Sequence, residues 1–345
     1  MKFKRKALVG AALSAVMALG AMSGAQAKTT LKLSHYLPSV HGIHTDFIVP
    51  WTKQVSECTN GEVSFEVFPA GSQLGNVARQ QDQVRAGVVD IAHGLHGIPR
   101  GRFPATSLID MPFLTDDAGA ATYALWQLLP GVLADEYKGF KVLALHAHNG
   151  GLLHTRGKKV ETMEDMKGLR IRTPSPAVSD MLSFLGATPQ GLPPGEVYEN
   201  LQRGVLDGTV FPWDPVKSFG LNEVLDYHLD LGVYTVSFFF LMNERSYERL
   251  SPEARACIDK YSGDALVTKF GDWWDAWDKP GHDEAVAAGH VVTTLSDAER
   301  ERWRQVLQPM MDAYLEKVKK SGVDNADEVY RLMQEKIAEY NAAKK

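Results

Sequence analysis

Gln83-Val-Arg-Ala-Gly87-Val-Val-Asp90-Ile-Ala92 and Gln202-Arg-Gly204-Val-Leu-Asp207-Gly-Thr-Val210 are the stretches whose reading decides the fold. Each reads as a helix end, a glycine stop and then a strand. Glycine reaches the left-handed conformation that ends a helix without a Cβ clash. An aspartate follows each glycine three residues later. One Gly-x-x-Asp is a weak signal, but two at the same kind of junction predict two α/β lobes of similar build. Outward from the first, Thr30–His35 alternates apolar and polar residues as a strand, ended by Pro38. Trp51–Cys58 reads as a helix stopped by Asn60-Gly61. Val63, Phe65 and Val67 alternate as a second strand before Pro69-Ala-Gly71. The opening is therefore β-α-β, the unit of a largely parallel sheet.

Outward from the second stretch, Thr162 reads as a helix N-cap followed by acids. Lys167-Gly168 breaks that helix, and Leu169–Thr173 alternates as a strand before Pro174. The second lobe is expected to begin near Asn149-Gly150-Gly151. Tyr234–Asn243 is a nearly continuous apolar run, predicted to be a strand buried on both faces. Ser296-Asp-Ala-Glu299 has the form of a capping box and opens a helical C-terminus. There Val329, Leu332, Met333, Ile337 and Tyr340 form one stripe expected to pack on the core.

The 345 residues are 44% hydrophobic and 23% charged. That apolar fraction excludes disorder as a description of the whole chain. Net charge is −5, and no run of lysine and arginine occurs beyond the first six residues. A nucleic-acid partner is not expected, because such proteins carry a basic footprint. Residues 1–27 read as a secretory signal peptide: Lys2, Lys4, Arg5 and Lys6, then apolar Ala7–Ala21, then Ala25-Gln26-Ala27 as a cleavage site. The apolar stretch is shorter than a membrane span, and no later stretch is long enough, so a soluble exported protein is expected. Two cysteines, Cys58 and Cys257, are compatible with one disulfide in an oxidising compartment.

Catalytic signatures are absent. The chain has no nucleophile elbow, P-loop, dinucleotide fingerprint or zincin motif. The histidine pairs His41/His44, His93/His96 and His146/His148 lack a carboxylate that would complete a metal site, so they are expected in loops or a polar cleft. No metal or cofactor is expected. Better signals lie where strands end, since open α/β sheets bind ligands beyond the carboxyl ends of their strands. Those positions are His35-Tyr36, His93–His96 (with Leu95 and His96 foremost), Arg172, and Phe211 to Asp214 with Trp213. Asn149 at the lobe junction and Phe238 in the buried run complete the candidate ligand-binding set. Arg172, on a strand directly before Thr173-Pro174, can present two parallel N–H groups to a carboxylate or sulfonate. A structural ion pair is its alternative role, and core packing that of the aromatic residues.

The order of motifs resembles one family. It runs Leu31-Lys-Leu-Ser-His-Tyr-Leu-Pro38; Phe68-Pro-Ala-Gly71-Ser-Gln-Leu-Gly75; Gln83…Asp90; Phe103-Pro104…Met111-Pro-Phe-Leu114; Met166-Lys-Gly-Leu-Arg-Ile-Arg172-Thr-Pro174; and Glu196-Val-Tyr198…Asp207-Gly208. This resembles the substrate-binding proteins of tripartite ATP-independent periplasmic (TRAP) transporters across nearly the whole chain beyond the leader. The resemblance implies a two-lobed periplasmic binding protein fold of the α/β class, with a ligand cleft between the lobes and a long connecting helix. It implies lobe I over 28–148 plus about 237–272. Lobe II would be 149–236 plus about 273–345, including the C-terminal helices. It further implies a periplasmic monomer that captures a small organic acid, delivers it to membrane permease subunits and performs no chemistry.

In that resemblance Arg172 takes the place of the arginine that pairs with the ligand carboxylate. Tyr36, Leu95, His96 and Phe211 match lining positions. Val210-Phe211 replaces the polar residues many acid binders carry, and Leu152 lies near where some members place a second arginine. Both departures imply one anionic anchor and a compact ligand with an apolar or aromatic part, with Asp214 and the histidines available to an amine or hydroxyl. The family's fold also places the helices of Cys58 and Cys257 in one lobe, which implies a disulfide between them. The competing readings are a secreted α/β enzyme and a ligand receptor for a sensor kinase.

Overall fold

Gly87 ends the helix Gln80–Ala86 at φ 71°, ψ 20°, and Gly204 follows the helix Val197–Gln202 at φ 70°. The two aspartates perform the same task. The Asp90 N–H donates to the Lys32 carbonyl (2.9 Å), and its Oδ2 accepts the Lys32 N–H (2.8 Å). Asp207 repeats both bonds with Arg170, at 2.9 and 2.8 Å. Each Gly-x-x-Asp therefore clasps the incoming strand to the strand beside it. Asp207 adds a forked ion pair to the Arg170 guanidinium, and Asp90 accepts from the Ser246 hydroxyl.

These clasps belong to two sheets in a computed structural model that describes residues 28–344. The predicted signal peptide, 1–27, lies outside the described residues. In chain order the strands are β1 (Thr29–His35), β2 (Val63–Phe68), β3 (Ile91–Leu95), β4 (Phe140–Ala147), β5 (Leu152–Thr155), β6 (Arg170–Thr173), β7 (Thr188–Gly191), β8 (Gly208–Phe211), β9 (Tyr227–Asp230), β10 (Ser237–Asn243) and β11 (Val291–Thr294). The first sheet is ordered β2-β1-β3-β10-β4, the second β11-β9-β5-β8-β6-β7. β1 runs parallel to β2 and β3, while β10 runs antiparallel to β3 and β4. In the second sheet β5 is the antiparallel strand, between β8 and β9. The chain thus leaves the first sheet after β4 and returns to it as β10. All seven β10 residues are buried, as the apolar run predicted.

The helix Phe270–Ala287 joins the lobes. At its start Phe270 stacks on His146, ring centroids 3.9 Å apart, and meets Phe47 of the first lobe edge to face. Near its end Gly281 presses on the second lobe, where a Cβ would lie 2.4 Å from the Trp213 carbonyl oxygen. Cys58 and Cys257 are joined in a disulfide, with Cα atoms 5.8 Å apart.

Two expectations need correction. The C-terminal helices do not share a lobe. Asp297–Lys320 packs on the second-lobe helix Pro176–Phe184, but Ala326–Ala343 lies on the first-lobe helix Ala118–Leu128. Gly119 lets the Tyr340 hydroxyl come close, and Tyr123 donates to Glu339. Ser296 caps its helix, accepting from the Glu299 N–H, but the box is not reciprocal. The Glu299 carboxylate instead accepts from the Met163 N–H (2.7 Å) and the Trp303 indole (3.0 Å). The reciprocal box forms at Thr162 and Asp165, on a short 3₁₀ turn.

Candidate ligand-binding site

A cavity that, counted with the space open to solvent, encloses about 400 Å³ lies between the lobes. Register explains part of its wall. Leu95 on β3 stands opposite Phe238 on β10, and cross-strand partners share a face, so both point into the cavity. Tyr36 and Leu37 reach it from the end of β1, and His41 from the following loop. His148 enters just beyond β4, Phe211 at the end of β8, and Trp274 from the joining helix. Arg172 projects from β6.

Arg172 is fully buried. Its Nε donates to the Leu192 carbonyl (3.0 Å) and Nη1 to the Val210 carbonyl (3.4 Å). Nη2 has no partner. The guanidinium carbon lies 4.2 Å from the centre of the Phe211 ring, a cation–π contact. Burial draws the Arg172 pKa down to about 10, so the group remains a cation at neutral pH. Burying a charge with neutral partners alone is costly, and an unpaired donor adds to that cost. Tyr36 and Tyr234 lie close enough to feel this charge; burial raises both phenol pKa values, so both remain neutral donors. The Tyr234 hydroxyl also lacks a partner among the described residues. The site is a single cation in an aromatic and aliphatic wall, which suits one anionic group on an apolar body.

Residues 33–317 match the family described as bacterial extracellular solute-binding protein, family 7 (DctP). The chain belongs to this family. Among its relatives is a protein of Comamonas testosteroni named outer membrane transporter protein TsaT. It is 26% identical over 95% of this chain and 96% of its own. A TRAP solute-binding protein of Rhodoferax ferrireducens, solved with copurified benzoate, is 30% identical with a TM-score of 0.88. That likeness covers 92% of this chain and all of the other. A marine metagenome TRAP solute-binding protein, solved with metahydroxyphenylacetate, is 33% identical with a TM-score of 0.86. It covers 91% of this chain and 99% of its own. The two-lobed α/β architecture is therefore that of the TRAP solute-binding proteins. No described helix is long and apolar enough to cross a membrane.

Five of the ten site residues named from the sequence line this solute-binding protein's cavity: Arg172, Phe211, Tyr36, Leu95 and Phe238. The other five do not. Side chains alternate along a strand, so His35 and His96 point away from the face shown by Tyr36 and Leu95. His35 pairs with His44 (2.9 Å) and takes the Leu37 N–H. His96 bonds Tyr137 (2.8 Å) and packs on Phe103 and Phe239 behind the sheet. Trp213 opens a new helix, which turns its ring onto His154 and His228. Asp214 instead ties the lobes together, accepting the Gly42 N–H (3.0 Å) while its own N–H donates to Asp278. Asn149 caps the helix Ala118–Leu128 at the Ala118 N–H and donates to Asp275.

Most histidines are core residues paired with one another, not members of a polar cleft. His93 meets His146 at 2.9 Å, and His154, His228 and His290 form a chain with contacts of 2.7 and 3.0 Å. Burial lowers the pKa of His35, His41 and His96 to about 3, and of His148 and His154 to about 4. Sequence reasoning did not single out His41, His148 or Trp274 for the wall. The histidine spacing carried no sign of which two would face it. Trp274 arrives from a helix far along the chain.

Proposed function

We propose that this solute-binding protein captures a small aromatic monocarboxylate in the periplasm and delivers it, chemically unchanged, to membrane permease subunits. One observation carries the reading: the unpartnered Nη2 of Arg172, the one charged side chain in the wall of a largely apolar and aromatic cavity. A carboxylate there would supply the missing acceptor and the missing negative charge in one group. Phe238, Phe211 and Trp274 offer a ring apolar contact and edge or face packing. The relatives solved with benzoate and metahydroxyphenylacetate support an aromatic acid. The neighbours solved with glucuronate, at 21–22% identity, speak only to the fold.

A thermal-shift screen tests this. Benzoate, phenylacetate and mandelate should each raise the melting temperature by several degrees, following mass action with bound ligand. Sugar acids and aliphatic keto acids should not. A shift confined to sugar acids or amines would contradict the proposal. The Cys58–Cys257 bond fits an oxidising compartment, and thiol titration of unfolded, unreduced protein should find no free thiol. Two free thiols would refute that part.

A further inference from the structure

We propose that His41 and His148 form a hydroxyl-recognition subsite in the cavity, so that the preferred ligand is an aromatic carboxylate bearing a hydroxyl group. This deepens the aromatic-carboxylate reading and rests on it. The argument begins with tautomers. The backbone N–H of Ile43 donates to Nδ1 of His41 at 3.1 Å. An amide N–H can only donate, so that nitrogen is bare and a neutral His41 carries its proton on Nε2. The Asp214 carboxyl, 3.4 Å from the same nitrogen, already accepts from Gly42. At His148 the logic is reversed. Its Nδ1 faces the carbonyl of Asn149, which can only accept. His148 therefore carries its proton on Nδ1 and leaves Nε2 with a free lone pair.

Both rings are buried and border the cavity that holds Arg172. Both stand edge-on to Trp274, with centroids 6.2 and 5.8 Å from the indole. Burial keeps both uncharged at neutral pH. Neither Nε2 has a hydrogen-bond partner among the described residues. The cavity is thus offered one N–H donor and one nitrogen acceptor, from two rings that flank the same indole. A methyl group satisfies neither. A second carboxylate would accept from His41 but meet the lone pair of His148. An ammonium would donate to His148 and repel the N–H of His41. A hydroxyl both donates and accepts, and so is chemically suited to both.

A site built around a ligand hydroxyl rejects the analogue that lacks it, because its own polar atoms are then left unpaired. Calorimetry on the full chain should compare 2-, 3- and 4-hydroxybenzoate with the methyl isostere at each position. For at least one position the hydroxyl ligand should bind about tenfold tighter or better. In His148→Leu and in His41→Phe that ratio should fall to about one. Methyl isosteres that match or exceed their hydroxyl partners at every position would overturn the subsite while leaving the carboxylate reading intact. So would a ratio that survives in both variants. If no benzoate binds but another class of solute does, the carboxylate reading falls and the subsite with it. The wild-type comparison stands even if a variant fails to fold.

Discussion

Arg172 and the histidine chain meet the cost of burying polar nitrogen in opposite ways. The arginine keeps its charge and leaves one buried donor, Nη2, without a partner among the described residues. Buried His154 and His228 give up theirs and are held by hydrogen bonds along the chain. In the chain, His154 Nε2 faces the Phe211 carbonyl at 3.1 Å and must carry a proton. Its Nδ1 then accepts from His228 Nδ1, and His228 Nε2 accepts from His290 Nδ1. One carbonyl fixes three tautomers. Nitrogen NMR at neutral pH should find His154 protonated on Nε2, and His228 and His290 protonated on Nδ1. A reversed tautomer at His154 would break this account. Arg172 was legible in the sequence because an arginine on a strand before Pro174 has few structural reasons to be there. The histidines were not, since an imidazole suits a core, a surface or a site equally, and only its neighbours decide.

Among elements, the Gly-x-x-Asp clasp is the clearest case of sequence dictating structure. Both copies put a left-handed glycine at a helix end and an aspartate on the adjacent strand's N–H. Asp90→Ala would strand the Lys32 N–H and the Ser246 hydroxyl, lowering unfolding stability by about 2–3 kcal/mol in urea titration. Gly204→Ala meets no atom within 4 Å, so only backbone conformation opposes it, at about 1 kcal/mol. No change in either variant would show the clasp to be incidental. The C-terminal helix was legible as a helix but not in its placement. Its stripe of Val329, Met333 and Ile337 fits any apolar face. What selects the helix Ala118–Leu128 is complementarity, with Tyr340 seated over Gly119. The edge strands β7 and β11 were missed because their residues are largely exposed and carry no alternating pattern.

At the scale of the whole molecule, the lobes also meet at Gly97, against Pro174 and Ser175. A Cβ there would lie 2.7 Å from the Ser175 Cβ and 2.9 Å from the Pro174 carbonyl oxygen, across the two lobes. Gly97→Ala should therefore hold the lobes apart, weakening ligand binding by about tenfold or more while leaving the ligand-free melting temperature nearly unchanged. Equal affinity would contradict closure at this contact. Acid should act on the fold itself. The buried histidines have folded pKa values below their unfolded 6.5, so the unfolded chain binds more protons and stability falls as pH drops below that value. Asp110, Asp214 and Asp278, raised by burial to about 7, work in the opposite sense, gaining stability as pH falls from about 7 towards 4. The histidines outnumber them, so the melting temperature should fall between pH 7 and pH 5, and a rise would show that the carboxyls dominate. The two-lobed plan was legible because a repeated motif marks both halves. The cavity wall was only half legible because it is assembled from eight separate segments. The central claim is that Arg172 anchors a carboxylate inside that wall, and calorimetric titration of benzoate into wild type, Arg172→Ala and Arg172→Lys tests it most directly. The alanine variant should lose about 2–5 kcal/mol of binding, and the lysine variant should recover only part, since a point charge cannot reproduce the guanidinium fork. Unchanged affinity in both variants would contradict the account.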